Sequence, residues 1–373
     1  MFNQVYKNKK VLITGHTGFK GTWLSIWLKL LGANLYGISR EVLTNPSFYE
    51  VSSLKKNFKK EYFFDIADYV KLNDTVREIK PDFIFHLAAQ SLVSVSYENP
   101  LETIKSNVLG TANLLEVLRN LDENCVAVLI TSDKVYRNIE KLSGYREEDI
   151  IGGHDIYSGT KGAADTLIHS YYKTFFSSNS KIKIVSARAG NVVGGGDWSR
   201  DRLIVDCITS WVKNKKVLLR SPNATRPWQH VIEPLSGYLH LGSYAFRSKY
   251  LGEPFNFGPD SKSVITVLEL IKKSTAVITA TKLFEGQPTL LYEASLHNKP
   301  SIFPDSGGIK EFFPENYKYM YQQFNYQDLE NKIKLLGDKK LALSEGIRSN
   351  KYTLNYLNEK NILKRFESII DER

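Results

Sequence analysis

Val11-Leu12-Ile13-Thr14-Gly15-His16-Thr17-Gly18-Phe19-Lys20-Gly21 decides the fold of this chain. Four residues fit for a buried strand run straight into a glycine-rich turn. An amphipathic stretch follows, with Trp23, Leu24, Ile26, Trp27, Leu28, Leu30 and Leu31 on a wide apolar face and Gly32 placed as its cap. Strand, turn and helix are the context in which such glycines bind a dinucleotide. They let the turn form and let backbone N–H groups approach a pyrophosphate at the positive end of the helix. The spacing is G-x-x-G-x-x-G, a variant of the commoner G-x-G-x-x-G device.

Outward from this turn, residues 1–190 alternate apolar runs and helical patterns. Leu35–Ser39, Phe83–Leu87, Val126–Ile130 and Ile182–Ser186 read as strands, and Val70–Ile79, Pro100–Leu121 and Tyr157–Phe176 as helices. Continuous apolar strands separated by helices predict an α/β fold, a doubly wound parallel sheet of the Rossmann type. Ligands of such sheets bind beyond the carboxyl ends of the strands. Asp65-Ile66, Ala88-Ala89, Ser132-Asp133 and Gly190-Asn191 fall at or beyond such ends. Where an acidic residue usually ends the second strand and holds a ribose, this chain has Ser39-Arg40. An arginine there suits a ribose phosphate, so NADP competes with NAD.

Tyr157 and Lys161, four apart, share one face of a helix. The ammonium can lower the phenol's pKa towards neutrality and make it a base for a sugar hydroxyl. Ser132, Asp133 and Lys134, at the end of a strand, offer a hydroxyl, an acid and a second amine for the rest of an acid–base cycle.

The chain has 373 residues and a net charge of +10, enough length for two or three domains. Lys55-Lys56, Lys59-Lys60 and Lys213–Lys216 hold part of the excess and read as solvated faces. Nothing alternates arginine with aromatics as a nucleic-acid surface would. Cys125 and Cys207 alone exclude a disulfide framework and a cysteine zinc site, and the seven histidines show no metal-binding pairing. No leader pattern or long apolar run appears, so a cytoplasmic protein without membrane contact is expected.

Thr14–Gly21, Phe85-His86-Leu87-Ala88-Ala89-Gln90 and Thr131-Ser132-Asp133-Lys134 resemble an extended short-chain dehydrogenase/reductase. Ala187-Arg188-Ala189-Gly190-Asn191-Val192-Val193-Gly194-Gly195-Gly196-Asp197-Trp198 and Arg226-Pro227-Trp228-Gln229-His230-Val231 narrow the resemblance to the CDP-glucose 4,6-dehydratases, from about Lys9 to about Leu270. The resemblance implies NAD bound by Gly15, Thr17, Gly18, Phe19, Lys20, Gly21, Arg40, Asp65, Ile66, Ala88 and Ala89, with Tyr157 and Lys161. It makes Tyr157 the base at the sugar 4-hydroxyl, Lys161 the ribose and phenol partner, and Ser132 a donor to the 4-oxygen. Asp133 would protonate the departing 6-hydroxyl. Lys134 stands where related dehydratases carry glutamate and becomes the candidate C5 base, or else a phosphate or backbone contact. Gln90, Asn191, Arg202, Arg226 and His230 are candidate substrate contacts, although His230 serves loop packing equally well. The implied product is a deoxysugar precursor of the kind used in lipopolysaccharide O-antigen, and the implied assembly is a homodimer. An epimerase or reductase of nucleotide sugars, or a cofactor-binding remnant without turnover, would share Tyr157 and Lys161.

The likeness stops near Lys273. Ala276–Thr279, Glu285-Gly286-Gln287-Pro288, Glu293-Ala294 and Gly307–Glu311 instead look like the donor-nucleotide half of a retaining GT-B glycosyltransferase. Glu285 and Glu293 match that family's paired glutamates. Only a fragment of that fold is present, so glycosyl transfer by it alone is not expected. The expected organisation is a Rossmann domain at 1–190, a partial substrate-binding region at 191–273 and this fragment at 274–373.

Overall fold

The structure, a computed structural model, describes residues 2–141, 143–178, 181–212, 224–247, 252–259, 265–266, 277–278, 289–296, 298–306, 309–356 and 358. The chain divides into two compact units. One comprises Met1–Arg202 with Arg226–Ile265, the other Leu203–Thr225 with Thr266–Arg373.

The first unit is built on seven parallel strands. They are β1 (Lys10–Thr14), β2 (Asn34–Ser39), β3 (Phe58–Phe63), β4 (Phe83–His86), β5 (Cys125–Ile130), β6 (Ile182–Ala189) and a last strand, Pro254–Phe257. From that last strand the order runs β6, β5, β4, β1, β2, β3. The chain crosses over between β1 and β4, so the carboxyl ends of these two strands frame the crevice where such sheets take a ligand.

Successive residues of β1 serve opposite faces. Val11 and Ile13 pack with Leu24 and Leu28 of helix α1 (Phe19–Leu30) and with Leu235 and Tyr238 of the helix Ile232–Arg247. Leu12 packs with Leu72, Val76, Leu114, Leu118 and Ile168 on the other side. Both faces are dry, which is why the central strands read as unbroken apolar runs.

Periodicity missed β3. Phe58-Lys59-Lys60-Glu61-Tyr62-Phe63 lies at the sheet edge with Lys59 and Lys60 exposed, and Lys60 Nζ sits 2.6 Å from Glu78. Edge lysines guard a strand against unwanted pairing and break its apolar signature. The helical stretch after Pro100 also differs from a plain α-helix. It runs as Pro100–Ile104, a π turn at Lys105–Leu109, then Gly110–Arg119.

The second unit contains a three-stranded parallel sheet, Val277–Ile278, Ser301–Pro304 and Met320–Tyr321 in that order. Leu291, Ile302, Phe303, Phe312, Phe313, Tyr317 and Tyr319 form its core. Thr289–Leu296 and Lys339–Tyr356 are helices. Glu285, Gly307-Gly308, the Val267–Ile271 segment and Lys213–Lys216 lie outside the described residues, as does the side chain of Glu293.

Candidate active site

Two glycines of the turn are fixed by space. Gly15 has φ +76°, and a Cβ there would stand 2.8 Å from Ala88 N. A Cβ on Gly21 would stand 2.1 Å from Gly15 O. The turn thus lies flush against Ala88 and against the first turn of α1. No side chain caps α1 at Gly18, so its leading N–H groups point outward, as a diphosphate requires. Thr17 ties the turn to β2, its N–H donating to Ser39 Oγ at 3.3 Å and its hydroxyl to Glu41 O at 2.8 Å. A Cβ at Gly15 or Gly21 would push the turn off the backbone it rests on, and a glycine turn held at an uncapped helix start fits a dinucleotide.

Arg40 is already engaged. Its Nε donates to Glu41 Oε1 at 3.0 Å and its NH1 to Glu102. Burial alone would raise the Asp65 carboxyl, but the Ala67 N–H (2.9 Å) and Lys105 Nζ (3.0 Å), with Arg40 nearby, hold it below its ordinary value. Ile66 is buried beneath Gly110.

A hydrogen-bond chain fixes the floor of the crevice. Asn107 O accepts from Thr111 Oγ1 (2.8 Å), so that hydroxyl accepts from His86 Nε2 (3.2 Å). His86 Nδ1 then accepts from Thr14 Oγ1 (2.8 Å), which itself accepts from Ala88 N (3.2 Å). These directions leave the imidazole neutral with its proton on Nε2. Burial, and after it the Lys161 charge, push His86 down to about 3.

Beyond β5 the chain makes one 3-10 turn, Asp133–Val135, capped by Ser132, whose Oγ accepts from Lys134 N (3.2 Å) and donates to Asp133 Oδ1 (3.0 Å). A Cβ on Gly190 would stand 3.1 Å from Asp133 Oδ2, so this glycine makes room for the carboxyl. The helix Ile156–Tyr171, N-capped by Asp155 through Ser158 N (2.9 Å), presents Tyr157 and Lys161, both buried, to that turn. Ser132 lies near enough to the Tyr157 phenol to lower its pKa. Lys134, half-buried, stands in the same turn.

The direction of the Tyr157 shift corrects the expectation. Burial raises the phenol, Asp133 and Asp155 add to this, and Ser132 and Arg202 oppose it. The physical reason is burial, the largest influence on the phenol; Lys161 is itself pushed down to about 8 by burial and the Lys20 charge, against Asp165.

The five expected substrate contacts separate. Gln90 Nε2 donates to Leu92 O (2.9 Å) and Thr103 Oγ1 (3.0 Å), and its Oε1 accepts from Leu92 N (2.5 Å). Both amide hydrogens serve the loop, so Gln90 anchors it instead of reaching outward. His230 is exposed, accepts from Ile232 N (3.4 Å) at the start of its helix and edges Trp23 (6.4 Å), a packing role. Arg202 Nε, a buried atom, faces Asp197 Oδ2 at 3.9 Å, an ion-pair distance without a hydrogen bond. Asn191 and Arg226 are half-buried, and Pro227 packs against Gly190.

Sequence reading missed Asn107, whose amide donates to Thr160 Oγ1 (3.0 Å) and Gln90 O (3.1 Å) while its Oδ1 accepts from Gln90 N (2.8 Å). It also missed Asp165 and Tyr238. No linear signal marks them, because their partners are distant in the chain.

This sheet order, glycine turn and Ser-Tyr-Lys geometry define an extended short-chain dehydrogenase/reductase. The chain belongs to the GDP-mannose 4,6 dehydratase family, whose pattern matches residues 12–243. It is 43% identical over 274 residues to the CDP-glucose 4,6-dehydratase of Salmonella typhimurium, covering 72% of this chain and 76% of that one. Among solved structures, a dTDP-glucose 4,6-dehydratase double mutant from Streptomyces venezuelae with NAD and DAU bound superposes with a TM-score of 0.60 at 21% identity, over 70% of this chain and 78% of that one. The epimerase Mth375 of Methanothermobacter thermautotrophicus matches at 0.62 and 20% identity over 95% of each chain. At such identities these two structures speak for the fold.

Proposed function

We propose that this protein is an NAD-dependent CDP-glucose 4,6-dehydratase, a hydro-lyase giving CDP-4-dehydro-6-deoxyglucose. The observation that carries the reading is the Ser132–Asp133–Lys134 turn set against the buried Tyr157 of the catalytic helix. A plain epimerase has no use for an acid at Asp133.

NAD, when bound, supplies the hydride acceptor and later returns the hydride. Tyr157 takes the proton of the sugar 4-hydroxyl, and Ser132 donates to the 4-oxygen as it becomes a ketone. The ketone acidifies C5–H. Lys134 removes that proton while Asp133 gives its own to the departing 6-hydroxyl, and water leaves. Lys161 holds the nicotinamide ribose. Asn191, Arg202 and Arg226 are assigned to the CDP diphosphate, whose oxygens a guanidinium binds in pairs. Engagement of Arg40 by two carboxylates favours NAD over NADP.

Exposed Leu101, Ile104 and Leu109 beside the catalytic helix suit a homodimer through these helices. A nucleotide-sugar substrate suits the reading of a cytoplasmic protein. For the carboxyl-terminal unit, the reading remains a donor-domain fragment of the GT-B type, supported by its parallel strands with the helix Thr289–Leu296 between the first two.

The experiment is incubation of purified protein with CDP-glucose and NAD, with the product followed by mass. A 4-keto-6-deoxy product is expected, and its absence at high enzyme concentration refutes the reading.

A further inference from the structure

We propose that residues 190–202 form a strap across the mouth of the cofactor crevice, and that Ser94 and Glu98 are positioning residues whose grip on it must open before the dinucleotide can exchange. The dinucleotide is that of the dehydratase reading, on which the inference rests.

Contacts trace the course of the strap. Gly190 starts it beyond β5, where a Cβ would stand 3.1 Å from Asp133 Oδ2. Gly194 lies on the first turn of α1: a Cβ there would stand 3.2 Å from the Phe19 ring and 2.7 Å from Val231. Trp23 of α1 donates from Nε1 to Gly195 O at 3.0 Å. Gly196 then passes Phe48, beyond β2, so closely that a Cβ would stand 2.4 Å from its ring, and that ring lies 5.1 Å from Trp23. The far end reaches the helix Val93–Glu98, which follows β4. There Ser94 Oγ donates to Asp201 Oδ2 at 2.6 Å, and Arg200 NH2 donates to Glu98 Oε2 at 2.5 Å. Helix α1 and the helix Val93–Glu98 follow the two strands that frame the crevice. A segment pinned to both crosses its mouth.

The two ends are held differently. Beside α1, glycine backbone lies against aromatic rings with no room for a further carbon at Gly194 or Gly196. At the other end, Arg200 and Glu98 are 56% and 51% exposed. Water and salt compete for such a pair, so it is weak. The strap therefore hinges at Gly194–Gly196 and lifts from Ser94 and Glu98. Asp197 and Arg202, 3.9 Å apart, ride on it. Lifting it withdraws the arginine assigned to the substrate diphosphate along with the cover of the cofactor.

The test uses the full chain with NADH and needs no turnover. Release of NADH, followed by its fluorescence during a chase with excess NAD, is measured in wild type, Ser94→Ala, Glu98→Arg, Arg200→Glu and the exchanged pair Glu98→Arg/Arg200→Glu. Each single variant is expected to release NADH about fivefold faster. The exchanged pair is expected to return to the wild-type rate, a rescue that general damage to the fold would not give. Trypsin, which cuts after Arg200 and Arg202, reads the strap directly. Cutting should be faster in Ser94→Ala than in wild type, and NADH should slow it in both. Unchanged release in all three single variants overturns the proposal, as does an exchanged pair no slower than its parents. A strap cut equally fast with and without NADH overturns it too. Absence of a dehydratase product would refute the function and leave these rates readable.

Discussion

Arg188 and Asp165 meet as a two-point ion pair behind the catalytic helix, Nε donating to Oδ1 at 3.1 Å and NH2 to Oδ2, with both side chains 3% exposed. Thr131 Oγ1 also donates to Asp165 (3.0 Å), and Arg188 NH1 donates to Tyr136 Oη (2.7 Å) and Glu147 O (3.0 Å). The pair therefore joins β5, β6 and the helix one turn beyond Lys161.

Removing one partner leaves a buried, uncompensated charge. Asp165→Asn is expected to destabilise the first unit by about 3 kcal/mol. Urea unfolding followed by tryptophan fluorescence measures it. A loss below about 1 kcal/mol would show that Arg188 has found another acceptor.

His86 makes stability depend on pH in a defined direction. Its pKa is about 3 in the folded protein against an ordinary 6.5, so below 6.5 the unfolded chain binds a proton that the folded one refuses. The contribution is complete above 6.5 and declines as the pH falls towards 3. Between pH 7 and 5 this amounts to about 2 kcal/mol. Unfolding free energies of wild type and His86→Gln at the two pH values should differ in slope accordingly, and equal slopes would contradict the assignment.

Asp133→Asn should separate the chemistry. Oxidation at C4 needs only Tyr157, Ser132 and the cofactor, whereas elimination needs the acid. Reduced nicotinamide is expected to accumulate with CDP-glucose while dehydrated product falls by about 10²-fold or more. Undiminished turnover would favour an epimerase.

Freeing Arg40 should change cofactor preference. Glu102→Gln removes one of its two carboxylates. An arginine released to a ribose phosphate gains about 1.5 kcal/mol, roughly a tenfold rise in NADP affinity relative to NAD by calorimetry. No change would mean that the ribose lies away from Arg40.

Gly159 is an exposed helical glycine whose Cβ would meet nothing within 4 Å. Gly159→Ala is expected to stabilise the catalytic helix by about 0.5–1 kcal/mol, seen as a raised Tm, with turnover unchanged.

Much of this was legible in the chain. Val11–Gly21 announces a buried strand, a turn and a helix because apolar periodicity and glycine placement are local properties. The apolar run Val126–Ile130 and the acid and hydroxyl after it are legible for the same reason. Phe58–Phe63 escaped notice because an edge strand needs polar residues, and the π turn at Lys105–Leu109 leaves no trace in periodicity.

By itself the sequence determined the alternation of strands and helices, the cofactor turn and the kinship of Ser132, Asp133, Tyr157 and Lys161. Only the tertiary structure decided what surrounds them. It brought Lys20 to Tyr238, 218 positions away, and Asn107 to Thr160, 53 away. It also turned Gln90 and Arg40 towards partners inside the protein. Burial and neighbouring charge set proton affinity, and both depend on packing between distant segments. Hence the chain names its acids and bases, and the fold decides which of them are charged.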